Sequence, residues 1–140
     1  MKSTLLALAT AAGLLAGALP AAALDGAVLI VNEGVPLTSI SPAALKDIYT
    51  AKTTYWEGGQ NIVLAVLEDK TDAALQEVSG MDAGQFKTFW QRLVFSGRGK
   101  QPKKESDPAA LVALVASTKG AIALVPADTE LKGVKKLEIK

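Results

Sequence analysis

The sequence predicts an α/β fold, a three-layer sandwich in which a mixed sheet is flanked by helices. Strand-like and helix-like segments alternate along the chain, which is typical of this class. The run Ile62–Val66 is continuously apolar rather than alternating, as in a strand that helices cover on both faces. Helix-start signals precede three apolar segments, at Ser41, Asp82 and Asp107. These observations favour one domain with one hydrophobic core.

One strand and one helix precede the apolar run. Ala27–Val31 is a short β-branched segment, which predicts a buried first strand. Ser41 is placed to cap a helix that starts at Pro42, and the apolar residues on one face of that helix are Leu45, Ile48 and Tyr49. Trp56 and the glycine pair after it turn the chain into a second strand, which we expect over Asn61–Leu67.

Two helices are expected after the second strand. Thr71–Val78 is the first of them, and Gly80 ends it because glycine tolerates the left-handed conformation. Asp82 and Gln85 have the spacing of a capping box at the start of the next helix. One face of this helix carries five large apolar residues, which we assign to core packing rather than to ligand stacking: Phe86, Phe89, Trp90, Leu93 and Val94.

The last third of the chain alternates loop, helix and strand. Arg98–Ser106 is predicted as a polar, basic loop. A helix follows from Pro108 and is terminated by Gly120. Ala121–Val125 predicts a third buried strand, and Val134–Ile139 predicts a strand at the sheet edge because its apolar residues alternate with charged ones.

The N-terminal segment has the pattern of a secretory signal peptide. Lys2 supplies a positive start, Leu5–Leu19 is apolar, and a proline and three alanines then form a cleavage pattern that ends at Ala23. The apolar stretch is too short for a stable membrane anchor, which needs about 20 residues. We therefore predict a signal peptide at residues 1–23, a domain at 24–140, and a periplasmic or secreted location after cleavage.

Composition excludes several classes of function. Loss of residues 1–23 removes Lys2 from the 15 basic side chains, so 14 bases face 14 acids and nothing attracts nucleic acid globally. The chain has no cysteine and no histidine, which excludes disulfides, Ser-His-Asp and Cys-His catalysis and thiolate zinc sites. We expect a protein that is not an enzyme and needs no cofactor or metal. A carboxylate-dependent hydrolase that uses Glu68 or Asp69 is the enzymatic alternative.

Three segments resemble the periplasmic phosphate-binding proteins, the substrate-binding subunits of phosphate ABC transporters. Ile40–Val66 is similar to the family pattern "LS-x-x-x-L-x-x-I-(F/Y)-x-G-K-x-x-x-W-x-x-G", with Ala51 in place of a glycine. Phe89–Lys103 resembles "W-x-x-x-(I/V)-F-(T/S)-G-x-G-x-x-P", and Val115–Val125 resembles "V-x-x-x-x-G-A-I-(G/A)-(Y/L)-V". The resemblance implies a single lobe of a type 2 periplasmic-binding-protein-like fold.

The resemblance also implies a solute-binding function. Relatives hold phosphate with a Ser-Gly-Thr run at the start of the helix after the second strand, and only Thr71 of Asp69-Lys70-Thr71 matches that run. The candidate ligand-binding residues are Lys70, Thr71 and, from the basic loop, Arg98. Phosphate or another oxyanion, bound weakly, is the implied ligand, and a transporter permease or an envelope protein is the implied partner. The alternative is an extracytoplasmic interaction or scaffold module that has lost anion binding.

Overall fold

A computed structural model describes Leu24 and residues 26–140, so the predicted signal peptide lies outside the described residues. The strands are β1 (Ala27–Asn32), β2 (Ser39–Ile40), β3 (Val63–Leu67), β4 (Lys103–Glu105), β5 (Ala121–Pro126), β6 (Val134–Lys136) and β7 (Glu138–Ile139). The helices are α1 (Pro42–Tyr49), α2 (Asp72–Ser79), α3 (Ala83–Phe95) and α4 (Pro108–Ser117).

Five of these strands form one mixed sheet, in the order β4-β3-β5-β1-β6. β3 is parallel to both β4 and β5, whereas β1 is antiparallel to both β5 and β6. Residues of α1, α2 and α3 pack on one face of the sheet, and α4 packs on the other with Leu111 and Val115 at its centre. The three-layer α/β prediction is confirmed.

The predicted helix starts are confirmed by their capping bonds. Ser41 and Asp107 each accept a hydrogen bond from a backbone amide in the first turn of their helix, at 3.1 Å. The Asp82 carboxylate accepts from the Gln85 amide at 2.8 Å, and the Gln85 side chain accepts from the Asp82 amide at 3.0 Å, which completes the capping box. None of the helices in this part of the chain is long and apolar enough to span a membrane.

Two predictions for the last third of the chain were wrong. The loop expected at Arg98–Ser106 contains β4, a charged strand at the sheet edge, where solvent removes the apolar signal that marks buried strands. The single strand expected over Val134–Ile139 is broken at Leu137. The Leu137 amide donates to Leu29 O at 2.9 Å, and the chain then leaves the main sheet and pairs β7 with β2.

The apolar stripe of α3 is only partly buried. Phe86 and Trp90 are buried as predicted, but Phe89, Leu93 and Val94 are half-buried, and Phe95 is 96% exposed. α2 packs against α3, and most residues of α3 other than Phe86 and Trp90 keep part or all of their surface exposed. The predicted core packing is confirmed for Phe86 and Trp90, which are buried, and for Phe89 and Leu93, which pack against the core while half-buried. Val94 is half-buried and belongs to neither core cluster.

Trp56 holds the loop after α1 in place. Its ring is 4% exposed, and its Nε1 donates to Gly120 O at 2.9 Å. The same carbonyl accepts from Val63 N at 2.9 Å, so one residue joins the loop to the start of β3. Ala51 has a φ of 65° in this loop, a left-handed conformation that explains why the family pattern has glycine there.

The Tyr49 hydroxyl is buried and has no hydrogen-bond partner among the described residues. Replacement of Tyr49 by Phe should therefore raise the free energy of unfolding by about 1 kcal/mol, because it removes a buried polar group that has lost its water. Urea denaturation followed by circular dichroism measures the change. Tyr55→Phe, at a side chain that is 60% exposed, is the matched control and should change nothing.

The same tyrosine lowers the stability of the folded state at high pH. Burial raises the pKa of Tyr49 well above its ordinary value near 10. Above pH 10 the unfolded chain loses the phenolic proton while the folded chain keeps it, so the stability from this group falls as pH rises. The Tyr49→Phe variant should show a smaller loss of stability above pH 10 than the unsubstituted protein. Equal losses would contradict the assignment.

Candidate functional site

The carboxyl ends of three neighbouring strands meet at one edge of the sheet. Because β3 is parallel to both β4 and β5, the strands end on the same side at Leu67, Glu105 and Pro126. α2 begins at this edge shortly after β3, with Asp72 as its first residue. Open α/β sheets bind ligands outside the carboxyl ends of their strands. This edge, named here the carboxyl edge, is the candidate ligand site.

Lys70 and Thr71 both lie at the carboxyl edge. Lys70 is exposed and adopts a φ of 75°, which turns the chain from β3 towards α2. Thr71 is 7% exposed and is the N-cap residue of α2, but its hydroxyl makes no capping hydrogen bond. The first amides of any helix lack partners inside it, and they favour anions. An oxyanion at this point would therefore meet the Thr71 hydroxyl and the start of α2.

Arg98 lies elsewhere in the fold. Its amide donates to Leu93 O at 2.9 Å, in the turn that ends α3. The chain then enters β4 at Lys103, which pairs with Ala65 in the first half of the parallel β3–β4 ladder. Arg98 thus precedes the amino ends of these strands, whereas Lys70 and Thr71 follow their carboxyl ends. The structure brings Lys70 and Thr71 together and does not bring Arg98 to them.

The carboxyl edge is predominantly acidic. Lys70 is the basic residue between β3 and α2. The carboxylates at or just after the ends of β3 and β4 and at the start of α2 are Glu68, Asp69, Asp72, Glu105 and Asp107. These charges oppose the attraction of an oxyanion by the start of α2. Among the described residues, no group of three or more Asp and Glu side chains is arranged to hold a metal ion.

A groove of about 350 Å³ opens between α3 and the β3–β4 edge, and we name it the α3–β4 groove. Its apolar surface includes Leu75, Phe86 and Trp90. Its charged residues come from four elements or their ends: Glu68, Asp72, Lys87 and Lys104. None of Lys70, Thr71 and Arg98 lines it. The groove therefore extends the candidate site beyond the residues that the sequence indicated.

The sequence did not indicate this groove, because one of its walls is β4 and the sequence of that segment predicts a loop. Lys104 pairs with Val66, so it lies on the sheet face that α3 covers, while the adjacent Lys103 lies on the opposite face. The segment Lys103-Lys104-Glu105 has no alternation of apolar and polar residues, and it is too short and too charged to predict a strand. Of the two carboxylates in the hydrolase alternative, Glu68 lines the groove and Asp69 does not, and both are exposed.

The fold is similar to that of solved phosphate-transport proteins. A phosphate ABC transporter substrate-binding protein of Clostridium perfringens, solved with bound phosphate, matches with a TM-score of 0.62 and 22% identity. That match covers 82% of this chain and 45% of the other. An ABC-type phosphate transport receptor of Vibrio cholerae matches with a TM-score of 0.56 and 17% identity, over 82% of this chain and 46% of that one.

A third solved structure, PstS of Borrelia burgdorferi, matches with a TM-score of 0.54 and 12% identity, over 86% of this chain and 49% of that one. No protein-family model and no curated protein matches the chain. The chain spans about half the length of the solved proteins that it resembles. The chain therefore has the fold of about half of a phosphate ABC transporter substrate-binding protein, and the prediction made from its sequence motifs is confirmed for the fold.

Proposed function

We propose that this chain is an exported, non-enzymatic solute-binding protein that resembles a phosphate ABC transporter substrate-binding component. The observation that carries the proposal is the match over 82% of the chain to a protein solved with bound phosphate. The lack of histidine and cysteine supports a binding role rather than catalysis. In this proposal the chain is exported after cleavage near Ala23, and its partner is a transporter permease or another envelope protein.

The phosphate site that we propose is the start of α2. Thr71 offers a hydroxyl that no capping bond uses, and Lys70 offers the nearest positive charge in the sequence. Arg98 has no part in this site because the fold places it beyond the other end of β4. The surrounding carboxylates and the open edge limit the gain from each hydrogen bond. We expect a dissociation constant no tighter than roughly 1 mM, or about 4 kcal/mol.

Calorimetric titration of the purified protein with inorganic phosphate tests this site. The expected result is weak, saturable binding that the Thr71→Ala substitution removes. Thr88→Ala is the matched control, because Thr88 is an exposed threonine on α3 and should leave the affinity unchanged. Micromolar binding by the monomer would contradict the predicted weakness. Equal loss in both variants would contradict the assignment to Thr71.

The acidic carboxyl edge favours a second candidate, an interaction module that keeps the fold and has lost anion binding. Five carboxylates against Lys70 and Lys104 leave this edge net acidic, which favours a basic docking partner over an oxyanion. The same titration separates the two candidates. Absence of saturable binding by phosphate and by sulfate supports the interaction module and contradicts the phosphate site.

A further inference from the structure

The α3–β4 groove is large enough for a small organic molecule. Its volume of about 350 Å³ falls in the range of ligand pockets, although at the lower end. Part of its surface is formed by Leu75, Phe86 and Trp90, which are all buried and therefore fixed by core packing. Packed side chains present a preformed surface, so a ligand would not have to order them. The groove suits the apolar body of a small ligand.

Charges of both signs line the same groove. Glu68 follows β3 and Asp72 begins α2, while Lys87 projects from α3 and Lys104 from β4. All four side chains belong to exposed residues, and none of them takes part in the two ion pairs found among the described residues. They are therefore free to exchange water for the charged groups of a ligand.

This combination distinguishes the groove from the proposed phosphate site. A compact oxyanion could use only Lys87 and Lys104, and it would be repelled by Glu68 and Asp72 as at the carboxyl edge. It also has no apolar surface to place against Phe86 and Trp90. A molecule that carries an ammonium group, a carboxylate and an apolar body would match all three features. An aliphatic amino acid is the simplest molecule of this kind.

We propose that the α3–β4 groove binds a small zwitterion with an apolar body, of the size and chemistry of an aliphatic amino acid. Glu68 and Asp72 receive the ammonium group, and Lys87 and Lys104 receive the carboxylate. The apolar body lies against Phe86 and Trp90. The groove excludes Lys70, Thr71 and Arg98, so this proposal does not rest on phosphate binding.

The probe is L-leucine, titrated calorimetrically into the purified protein. Two truncated analogues accompany it, isoamylamine without the carboxylate and isocaproate without the amine. Leucine should bind more tightly than either analogue, because each analogue leaves one pair of charged side chains unused. No saturable binding of leucine, or equal affinity for leucine and both analogues, would overturn the proposal.

Neighbouring residues of the same type supply matched controls. Glu68→Gln should weaken the binding of leucine and isoamylamine by about three- to tenfold and should not weaken that of isocaproate. Lys104→Gln should weaken the binding of leucine and isocaproate and should not weaken that of isoamylamine. Asp69→Asn and Lys103→Gln alter adjacent exposed residues that do not line this groove, and both should leave all three affinities unchanged. Equal losses in the test and control variants would overturn the assignment to the groove.

Two further outcomes have defined meanings. Phosphate binding without leucine binding would overturn the groove proposal and leave the Thr71 site standing. Sedimentation velocity of the Glu68→Gln variant tests whether the groove instead holds a second copy of the chain. A change in association state caused by that substitution, with no change in leucine affinity, would also overturn the zwitterion proposal.

Discussion

Replacement of Gly120 by alanine is expected to destabilise the protein by roughly 2–5 kcal/mol. Gly120 has a φ of 81°, and a Cβ at this position would overlap the backbone oxygen of Asn61. The residue cannot move freely, because its own carbonyl accepts from Trp56 Nε1 and Val63 N, each at 2.9 Å. Relief of the overlap would therefore disturb the start of β3 and the Trp56 anchor together. Urea denaturation followed by circular dichroism measures the loss.

Gly59→Ala separates backbone strain from overlap. Gly59 has a φ of 92°, but a Cβ there would meet nothing within 4 Å. This variant should lose only the cost of left-handed backbone, about 1–2 kcal/mol. Equal losses in the two variants would show that the contact between Gly120 and Asn61 adds nothing to the strain. A smaller loss for Gly120→Ala than for Gly59→Ala would contradict the predicted order.

The parts of the fold that the sequence predicted are those specified by neighbouring residues. Capping side chains at Ser41, Asp82 and Asp107 lie within one turn of the amides that they bind, so residue type and spacing were sufficient to place three helix starts. The buried strand β3 was recognised because helices cover both faces of its sheet, which leaves a continuous apolar run.

The parts that were missed depend on distant partners. β4 is a strand because it pairs with β3, and its own residues are mostly lysines exposed at the sheet edge. The break at Leu137 depends on the pairing of β7 with β2, in which Glu138 pairs with the distant Ser39. The burial of α3 could not be read from its periodicity, because periodicity shows which face is apolar and not whether a neighbour covers it.

The candidate site was predicted only in part, because some of its residues are neighbours in the sequence and others are brought together by distant pairings. Lys70 and Thr71 follow a recognisable strand and precede a helix, so their position at the carboxyl edge could be anticipated. Arg98 was grouped with them because of its charge, and the direction of β4 separates it from them. The groove residues lie on separate elements, α2, α3 and β4 among them, and only the folded chain brings them together.

Replacement of Trp90 by alanine should lower the free energy of unfolding by about 3–5 kcal/mol, the usual cost of removing a buried aromatic side chain. The Trp90 residue is 6% exposed, and its ring lies 6.2 Å from those of Phe86 and Phe89. Its Nε1 donates to Tyr49 O at 3.0 Å, which ties α3 to the end of α1. Truncation would therefore leave a cavity and an unpaired carbonyl together.

One variant separates the loss of packing from the loss of the hydrogen bond, and a second variant is a control on the same helix. Trp90→Phe keeps an aromatic ring in the core but removes the donor to Tyr49 O, so its loss should be smaller than that of Trp90→Ala. Phe95→Ala, on the same helix but at a side chain that is 96% exposed, should change stability by no more than about 0.5 kcal/mol. An unchanged denaturation midpoint in Trp90→Ala would refute the core assignment. A large loss in Phe95→Ala would show that α3 has a packing partner that its exposure does not reveal.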